Sequence, residues 1–357
     1  LDYLGSTCPR LLLEPQRSNL ALYSEQFNNS AWTKNNATLT ANQAVSPDGY
    51  TNADLFYINS AGDVSSHRII QSATVSSGTT YTSSVFFKSN AAQWIWFPAP
   101  DASSANHEAW FDVKNGVVGT VGSSVTNASI VSYGNGWYRC SVTSAATSIT
   151  NYVIFAPVTA NGSTTTVSGS SNALFIYGAG LEAGAYATSY IPTLGTSVTR
   201  VADAALTGSV PSLIGQTEGT LFIEITRDNI FEPFFVMLST IAGTTTNSYQ
   251  NGFYLFQLPN TNFVSDGFVS NSQQFGFNID GLSLTTHKIA LAYKQNDITL
   301  YIDGVNRGTD TSANIPAMNY LTIGGNADSG ATRNIISQAL LFKTRLTNAQ
   351  LAELTTL

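Results

Sequence analysis

Charge is scarce in this chain. Only 10% of its 357 residues are Asp, Glu, Lys or Arg, against roughly 25% in ordinary soluble domains. The 15 basic and 22 acidic side chains leave a formal charge of −7. A groove that tracks phosphates needs clustered Lys and Arg, so nucleic acid is not an expected partner. No run of about 18 apolar residues occurs, so no membrane insertion is expected. The two cysteines, Cys8 and Cys140, are too few for a disulfide framework. They are either free buried thiols or one bridge tying the N-terminal segment to the body, and spacing does not choose between these. The chain begins at Leu1 without a basic-plus-apolar leader and reads as a processed chain or the later part of a longer one.

What is present is apolar and polar-uncharged. Hydrophobic residues make up 43% and aromatics 11%, enough for real cores, while Thr, Ser, Asn and Gly supply the surface. The length exceeds what one sandwich core normally holds, so two domains are expected. The segments "TYTSSVFFKS" (80–89), "QWIWFPAP" (93–100), "EAWFDV" (108–113), "GWYRCSVT" (136–143), "NYVIFAPV" (151–158) and "ALFIYGAGLE" (173–182) read as short strands. Turn signals such as "SPDG" (46–49), "KNG" (114–116), "GNG" (134–136) and "ANGS" (160–163) separate them, as in a Greek-key sandwich.

Residues 193–215, small and polar, read as a hinge. Strands resume from about Glu218, among them "GTLFIEITRD" (219–228), "HKIALAYK" (287–294) and "DITLYID" (297–303). Asp303-Gly304 is the strongest hairpin signal. The one convincing helix is "LTNAQLAELTTL" (346–357), with Thr347 or Asn348 as N-cap. The expected fold class is all-β: two antiparallel sandwiches, a jelly roll and a concanavalin A-like one. The expected division is an N-terminal linker over 1–19, a jelly roll over 20–203 and a second sandwich over 204–357.

Catalytic chemistry finds little support. Glycosidases on concanavalin-like sandwiches need paired carboxylates, and alternate strand residues share a face. The nearest stretch is Glu224-Ile225-Thr226-Arg227-Asp228, where Thr226 stands in place of a second acid. Glu224 therefore reads as an ordinary strand residue. No G-x-S-x-G elbow occurs. His67, His107 and His287 lack metal-type spacing. "NHEAW" (106–110) sets one His beside one Glu and reads as a loop entering a strand. Asp303 and the Asp328 of "GGNADSG" (324–330) read as turn residues. Both sandwich types often carry a structural calcium on loop oxygens, but no dense Asp cluster locates one, so no other cofactor is expected.

Binding has a better candidate. Sugars are gripped by flat aromatic faces with a few polar groups beside them. Trp94 and Trp96 share one strand face, with Ile95 and Phe97 opposite. Trp110 and Asp112 share a face, with Phe111 opposite. If Ile95 and Phe97 are core, then Trp94, Trp96, Trp110 and Asp112 form a carbohydrate-binding platform. The alternative is that these aromatics are buried in a core or a subunit contact.

Several motifs carry a resemblance. "CPRLLLEPQRSNL" (8–20), "YSEQFNNSAWTK" (23–34), "SPDG", "GNGWYRCSVT" (134–143), "GLEAGAYATSYIPT" (180–193) and "VTRVAD" (198–203) are similar to a jelly-roll carbohydrate-binding-like domain of tailed-bacteriophage head-fibre and tail-fibre proteins. Together they span nearly all of residues 1–203. "ITLYIDGVNRG" (298–308), "LTIGG" (321–325) and "ALLFKTRLTNAQLAELTTL" (339–357) resemble concanavalin A-like or laminin-G-like sandwiches. The resemblance implies a virion-surface fibre protein, often a homotrimer, joined to other virion proteins through the N-terminal segment. With the missing catalytic sets and the aromatic platform, the expected role is non-catalytic attachment to host glycans. The resemblance also implies that Trp32, Trp137 and Tyr138 are structural, with Glu182 a buried structural acid. A purely structural capsid decoration protein and an accessory module pair of a secreted polysaccharide-degrading enzyme are the alternatives.

Overall fold

The computed structural model describes residues 11–102, 105–203, 205–206, 209–226, 234–240, 251–257, 262–323 and 334–357. The strand pairings are antiparallel throughout, so the chain is all-β, in sandwiches, as the alternation suggests. It divides into two compact units. One is Arg17–Arg200; the other joins the described residues of Leu1–Gln16 to those of Val201–Leu357.

In the first unit two six-stranded sheets face each other. One runs Val117–Val121, Ala109–Asp112, Trp94–Trp96, Thr150–Val158, Arg68–Thr74, Thr33–Asn35. The other runs Asn127–Gly134, Trp137–Ala145, Thr80–Ser89, Leu174–Ala183, Thr51–Ile58, Ala37–Val45. Alternation decides what lies between them. From Thr80–Ser89 come Tyr81, Val85 and Phe87; from the facing sheet come Ile95, Phe97, Phe111, Val153 and Phe155. Odd-numbered residues of Trp94–Trp96 and Ala109–Asp112 point inward, which sends the tryptophans to the opposite face.

Both sheets also bury part of their outer faces. Behind the second sheet Phe86, Trp137 and Tyr177 form a satellite cluster, and Trp137 Nε1 donates to the Val45 carbonyl at 3.0 Å. Trp32 packs in the main core at 4.8 Å from the Phe27 ring. Cys140 is a free thiol in that core, where burial raises its pKa well above the ordinary range. Cys8 lies outside the described residues.

Asp54 shows what a buried carboxylate costs. It holds the irregularity between Thr40 and Ala44 in strand Ala37–Val45 by accepting the Asn42 N–H at 3.0 Å; Asn42 sits at φ 58°. Burial pushes its pKa from 3.8 up to about 6, with the backbone N–H groups pulling the other way. The folded state therefore holds the proton more tightly than the unfolded one. Stability from this group falls as pH rises from about 3.8 through about 6. Asp54→Asn keeps an acceptor for Asn42 and removes the buried charge. It is expected to stabilise the first unit at pH 7 by up to about 3 kcal/mol and to flatten the acid limb of its stability. Urea melts at pH 4, 5, 6 and 7 check this; an unchanged slope would refute it.

The second unit repeats the logic. One sheet runs Leu11–Leu13, Asn334–Phe342, Glu218–Thr226, Thr286–Lys294, Asp297–Ile302, Val305–Asp310. The other runs Ala205–Leu206, Tyr320–Ile323, Phe234–Ser239, Gly252–Gln257, Phe263–Val269, Ser272–Ile279. Leu221, Ile223, Ile225, Leu255, Leu291 and Leu300 fill the space between. Asp303 and Gly304, at φ 51° and 77°, close the hairpin that pairs Ile302 with Val305, since both central positions of such a turn need positive φ. Asp303 does more than turn: its carboxylate accepts the Lys288 N–H at 3.0 Å and meets His287 Nδ1 at 2.6 Å. The helix Asn348–Thr355 starts at a capping box between Thr347 and Gln350, and its Leu351 is buried.

The linker expected over 1–19 is corrected by the pairing of its described residues; residues 1–10 lie outside them. Leu11–Leu13 is an edge strand of the second unit, registered on Asn334–Phe342. Arg17–Asn19 pairs with Val198–Arg200 and closes the first unit. A triple-leucine run finds an apolar slot rather than staying extended in water, and Leu13 is buried. The jelly-roll unit is thus inserted into the second one.

Candidate functional site

The outer face of the sheet that carries the tryptophans is roofed by two loops. Residues 59–67 and 159–168 are tied together: Val64 N–H donates to the Thr164 carbonyl at 2.9 Å, and Thr166 N–H to the Gly62 carbonyl at 2.8 Å. Asp63 bridges to Thr165. Beneath and beside them lies a cavity of about 330 Å³, lined by Asp63, Val64, Ser65, Arg68, Ile70, Trp96, Ala102, Glu108, Tyr152, Ile154 and Thr164.

Register explains the floor. Ile154 is opposite Ile70, Tyr152 opposite Ser72, Ala156 opposite Trp96, and Trp96 opposite Trp110. One face of three adjacent strands therefore presents Ile70, Ile154, Tyr152 and Trp96. The walls are polar. Asp63 accepts the Ser65 N–H at 2.9 Å; bonds from Ser65 and Thr164 hold its carboxyl below the usual range. Arg68 donates to the Val64 carbonyl at 3.4 Å, and its buried Nε–H has no partner among the described residues. Burial disfavours the Arg68 charge, while Tyr152 and Asp63 support it. Glu108 stands where the short 3-10 turn Ala105–His107 meets strand Ala109–Asp112. Burial raises its pKa; the Trp96 N–H pulls it down, and Asp63 adds a smaller upward push. That Trp96 N–H has no hydrogen bond of normal geometry, so Glu108 is its neighbour rather than its full partner.

The sequence-based platform is brought together only in part. Ile95, Phe97 and Phe111 are fully buried core, and Trp94, Trp96 and Trp110 do share the opposite face. They form no open surface, however. Trp96 and Trp110 are each only 5% exposed, clustered with Val64, Ile154, Ala156 and Val158. Trp110 Nε1 donates to the Ser163 carbonyl at 2.7 Å, which fixes the roof loop. Trp94 packs beneath the edge strand, where a methyl group on Gly119 would come within 2.7 Å of its ring. Of the three, Trp96 alone lines the cavity.

Asp112 does not serve as the polar contact expected of it. Its carboxylate accepts the N–H groups of Lys114 at 3.0 Å and Asn115 at 2.9 Å, the Asn115 amide at 2.7 Å and the Gln93 amide at 2.7 Å. These bonds outweigh burial and hold its carboxyl below the ordinary range. It is the anchor of the turn before Gly116, with no acceptor capacity left to offer. Sequence reasoning missed Asp63, Arg68, Tyr152 and Thr164, and it weighed Glu108 only as part of a loop entering a strand. Tyr152 was within reach, since alternation in "NYVIFAPV" sets it opposite Val153.

In the second unit Glu224 is paired across the sheet with Lys288, between the inward Ile223 and Ile225. Among the described residues no group of three or more His, Cys, Asp or Glu could hold a metal ion. Two described carboxylates that approach one group, Glu25 and Asp48, are already engaged within the protein. Both accept from the Tyr177 hydroxyl, at 3.1 and 2.9 Å, and Asp48 is further engaged by Tyr50 and Asn52. No described helix is long and apolar enough to cross a membrane.

No family model and no curated protein sequence matches the chain. Among solved structures it is similar to the CBM40 module of a Ruminococcus gnavus IT-sialidase bound to α2,3-sialyllactose, at 12% identity and TM-score 0.33, covering 43% of this chain and 97% of that one. It is also similar to a heptameric SAP-like pentraxin from Limulus polyphemus, at 14% identity and TM-score 0.31, covering 42% and 74%. A third is domain 4 of an extracellular GH43 arabinanase from Geobacillus stearothermophilus in complex with arabinotriose, at 14% identity and TM-score 0.30, covering 45% and 74%. Likeness at this level carries no functional information.

Proposed function

We propose that the chain is a non-catalytic glycan-binding protein of a virion surface, part of a head or tail fibre, whose first sandwich attaches to host-surface glycans. The observation that carries this reading is the roofed cavity, where Trp96 and Tyr152 meet Glu108 and Arg68. Aromatic rings offer an apolar face to sugar C–H groups, and the charged groups offer directional hydrogen bonds. The fibre setting rests on the motif resemblance over residues 1–203. A homotrimer would set three weak sites against one cell surface and raise affinity through effective concentration.

Light scattering of the purified chain, with a glycan array and labelling of whole bacteria, tests this reading. A trimer that labels a narrow set of surface glycans is expected. Tyr152→Ala is expected to lower that labelling roughly tenfold, as loss of a central aromatic contact does. A monomer that binds plant or algal polysaccharides would replace the virion reading with that of an accessory module. The burial of Trp96 and Trp110 favours a second reading, a structural decoration protein without a ligand; a trimer that labels nothing would establish it.

A further inference from the structure

We propose that the cavity on the first sandwich takes a single uncharged sugar residue end-on, with Glu108 accepting its hydroxyl protons and Arg68 donating to its oxygens. This rests on the glycan-binding reading above and narrows it to a class of ligand.

Size comes first. At about 330 Å³ the cavity lies at the lower end of small-molecule sites, about 300–1,000 Å³. The tied loops 59–67 and 159–168 roof the same face of the sheet. A volume of this size suits one terminal ring better than several consecutive rings.

Charge comes second. Three ionic side chains line the cavity: Asp63, Glu108 and Arg68. Two carboxylates against one guanidinium leave an excess of one negative charge. An anionic sugar would bring its carboxylate beside the half-buried Glu108, where like charges repel more than in open water. The exposed Asp63 adds to that field only weakly. A sugar bearing only hydroxyl or amide groups meets no such opposition.

Hydrogen-bonding capacity comes third. Asp63 is already tied to Ser65 and Thr164, so it serves the loop. Among the described residues, the Trp96 N–H is the donor beside the Glu108 carboxylate, without a bond of normal geometry. A carboxylate accepts through two oxygens and can take two neighbouring hydroxyl groups of one ring. The buried Arg68 Nε–H has no acceptor among the described residues. A buried donor without a partner is costly, and a ring or hydroxyl oxygen of a bound sugar would satisfy it. The cavity thus holds an acceptor in Glu108 and two donors, the Arg68 Nε–H and the Trp96 N–H, still to be used beside the Trp96 and Tyr152 rings.

The test uses the full chain on a glycan array, followed by competition with free monosaccharides. Neutral competitors are D-galactose, D-glucose, L-rhamnose and N-acetyl-D-glucosamine; anionic ones are D-glucuronic acid and N-acetylneuraminic acid. At least one neutral sugar is expected to compete, and neither acid. Glu108→Gln, which keeps the shape and removes the charge, is expected to weaken array binding about ten- to a hundredfold, the cost of a hydrogen bond to a charged group. Arg68→Lys, which keeps the charge and loses the Nε donor, is expected to weaken it in the same direction. Unchanged far-UV circular dichroism establishes folding for each variant. Competition by the acids alone, or array binding indifferent to both substitutions, would overturn this proposal while leaving glycan binding intact. An array with no positive spot would remove the glycan-binding reading itself, and this proposal with it.

Discussion

Phe155→Ala is expected to cost the first sandwich about 3–5 kcal/mol, the range for emptying a buried phenylalanine site. The ring is fully buried and stands at the meeting point of both sheets. Phe87 lies 5.1 Å away, Phe56 5.7 Å, Phe27 6.1 Å and Phe97 6.3 Å, all near edge-on. Such pairs add about 0.5–1.5 kcal/mol each beyond burial, so the upper end of the range is the better expectation. The strands that bring these rings together are hydrogen-bonded on both sides and cannot collapse into the gap. Against a typical domain stability of about 5–15 kcal/mol, the loss leaves this unit marginal. All five tryptophans, Trp32, Trp94, Trp96, Trp110 and Trp137, lie within Arg17–Arg200. Urea unfolding followed by tryptophan fluorescence therefore reads this unit alone. A shift below about 1 kcal/mol would mean that the rings are not the packed centre described.

Arg139→Met is expected to cost about 3–5 kcal/mol at neutral pH, because it strands a buried carboxylate. Glu182 and Arg139 are 3.8 Å apart, with side chains only 3% and 7% exposed. Glu182 also accepts the Thr188 hydroxyl at 2.6 Å. Arg139 donates to Ser84 Oγ at 2.9 Å and lies over the Phe86 ring at 5.2 Å. Burial raises the Glu182 pKa, and Arg139 is the largest force opposing that rise. The folded state thus binds the Glu182 proton more tightly than the unfolded chain does. Stability from this group falls as pH rises from its ordinary value of 4.5 through the raised one. Without Arg139 the raised value climbs further, so the deficit of the variant should be smaller at pH 5 than at pH 8. The double variant with Glu182→Gln should recover much of the loss, since both charges are then gone. Equal losses at the two pH values, with no recovery in the double variant, would show that packing alone is at stake.

Local signals in the sequence carried the elements. Period-two alternation in "QWIWFPAP" set the tryptophans opposite Ile95 and Phe97, and Asp303-Gly304 marked its hairpin because few other dipeptides accept two positive φ angles. Thr347, one of two N-cap candidates, marked the helix start; the partner Gln350 of its capping box came only with the structure. The cavity was not legible, for a physical reason. Its residues run from Asp63 to Thr164, and strands far apart in sequence become neighbours only through the sheet order. Alternation assigns a face; it says nothing about which strand lies alongside. Nor does it say whether a face opposite the core is open. Phe86 and Trp137 are buried although they face away from the main core, and the same happens to Trp96 and Trp110 under their roof loops. For Asp112 a stronger local signal was overlooked: an Asp three residues before Asn115 and four before a glycine at φ 71° is turn chemistry.

The insertion of Arg17–Arg200 within the second unit has a consequence for biosynthesis. A ribosome delivers the chain from its N-terminus, and domains generally fold as units once they emerge. The jelly roll has all its strands as soon as Arg200 is out. Leu11–Leu13 is made before any of it, yet its pairing partner Asn334–Phe342 emerges only long after the insert is complete. That leucine strand must wait through the synthesis of more than three hundred residues, with an apolar surface that nothing yet covers. The order of emergence makes the inserted unit the early, autonomous folder and the host unit the late one, so truncation near the C-terminus should cost the host its fold and spare the insert.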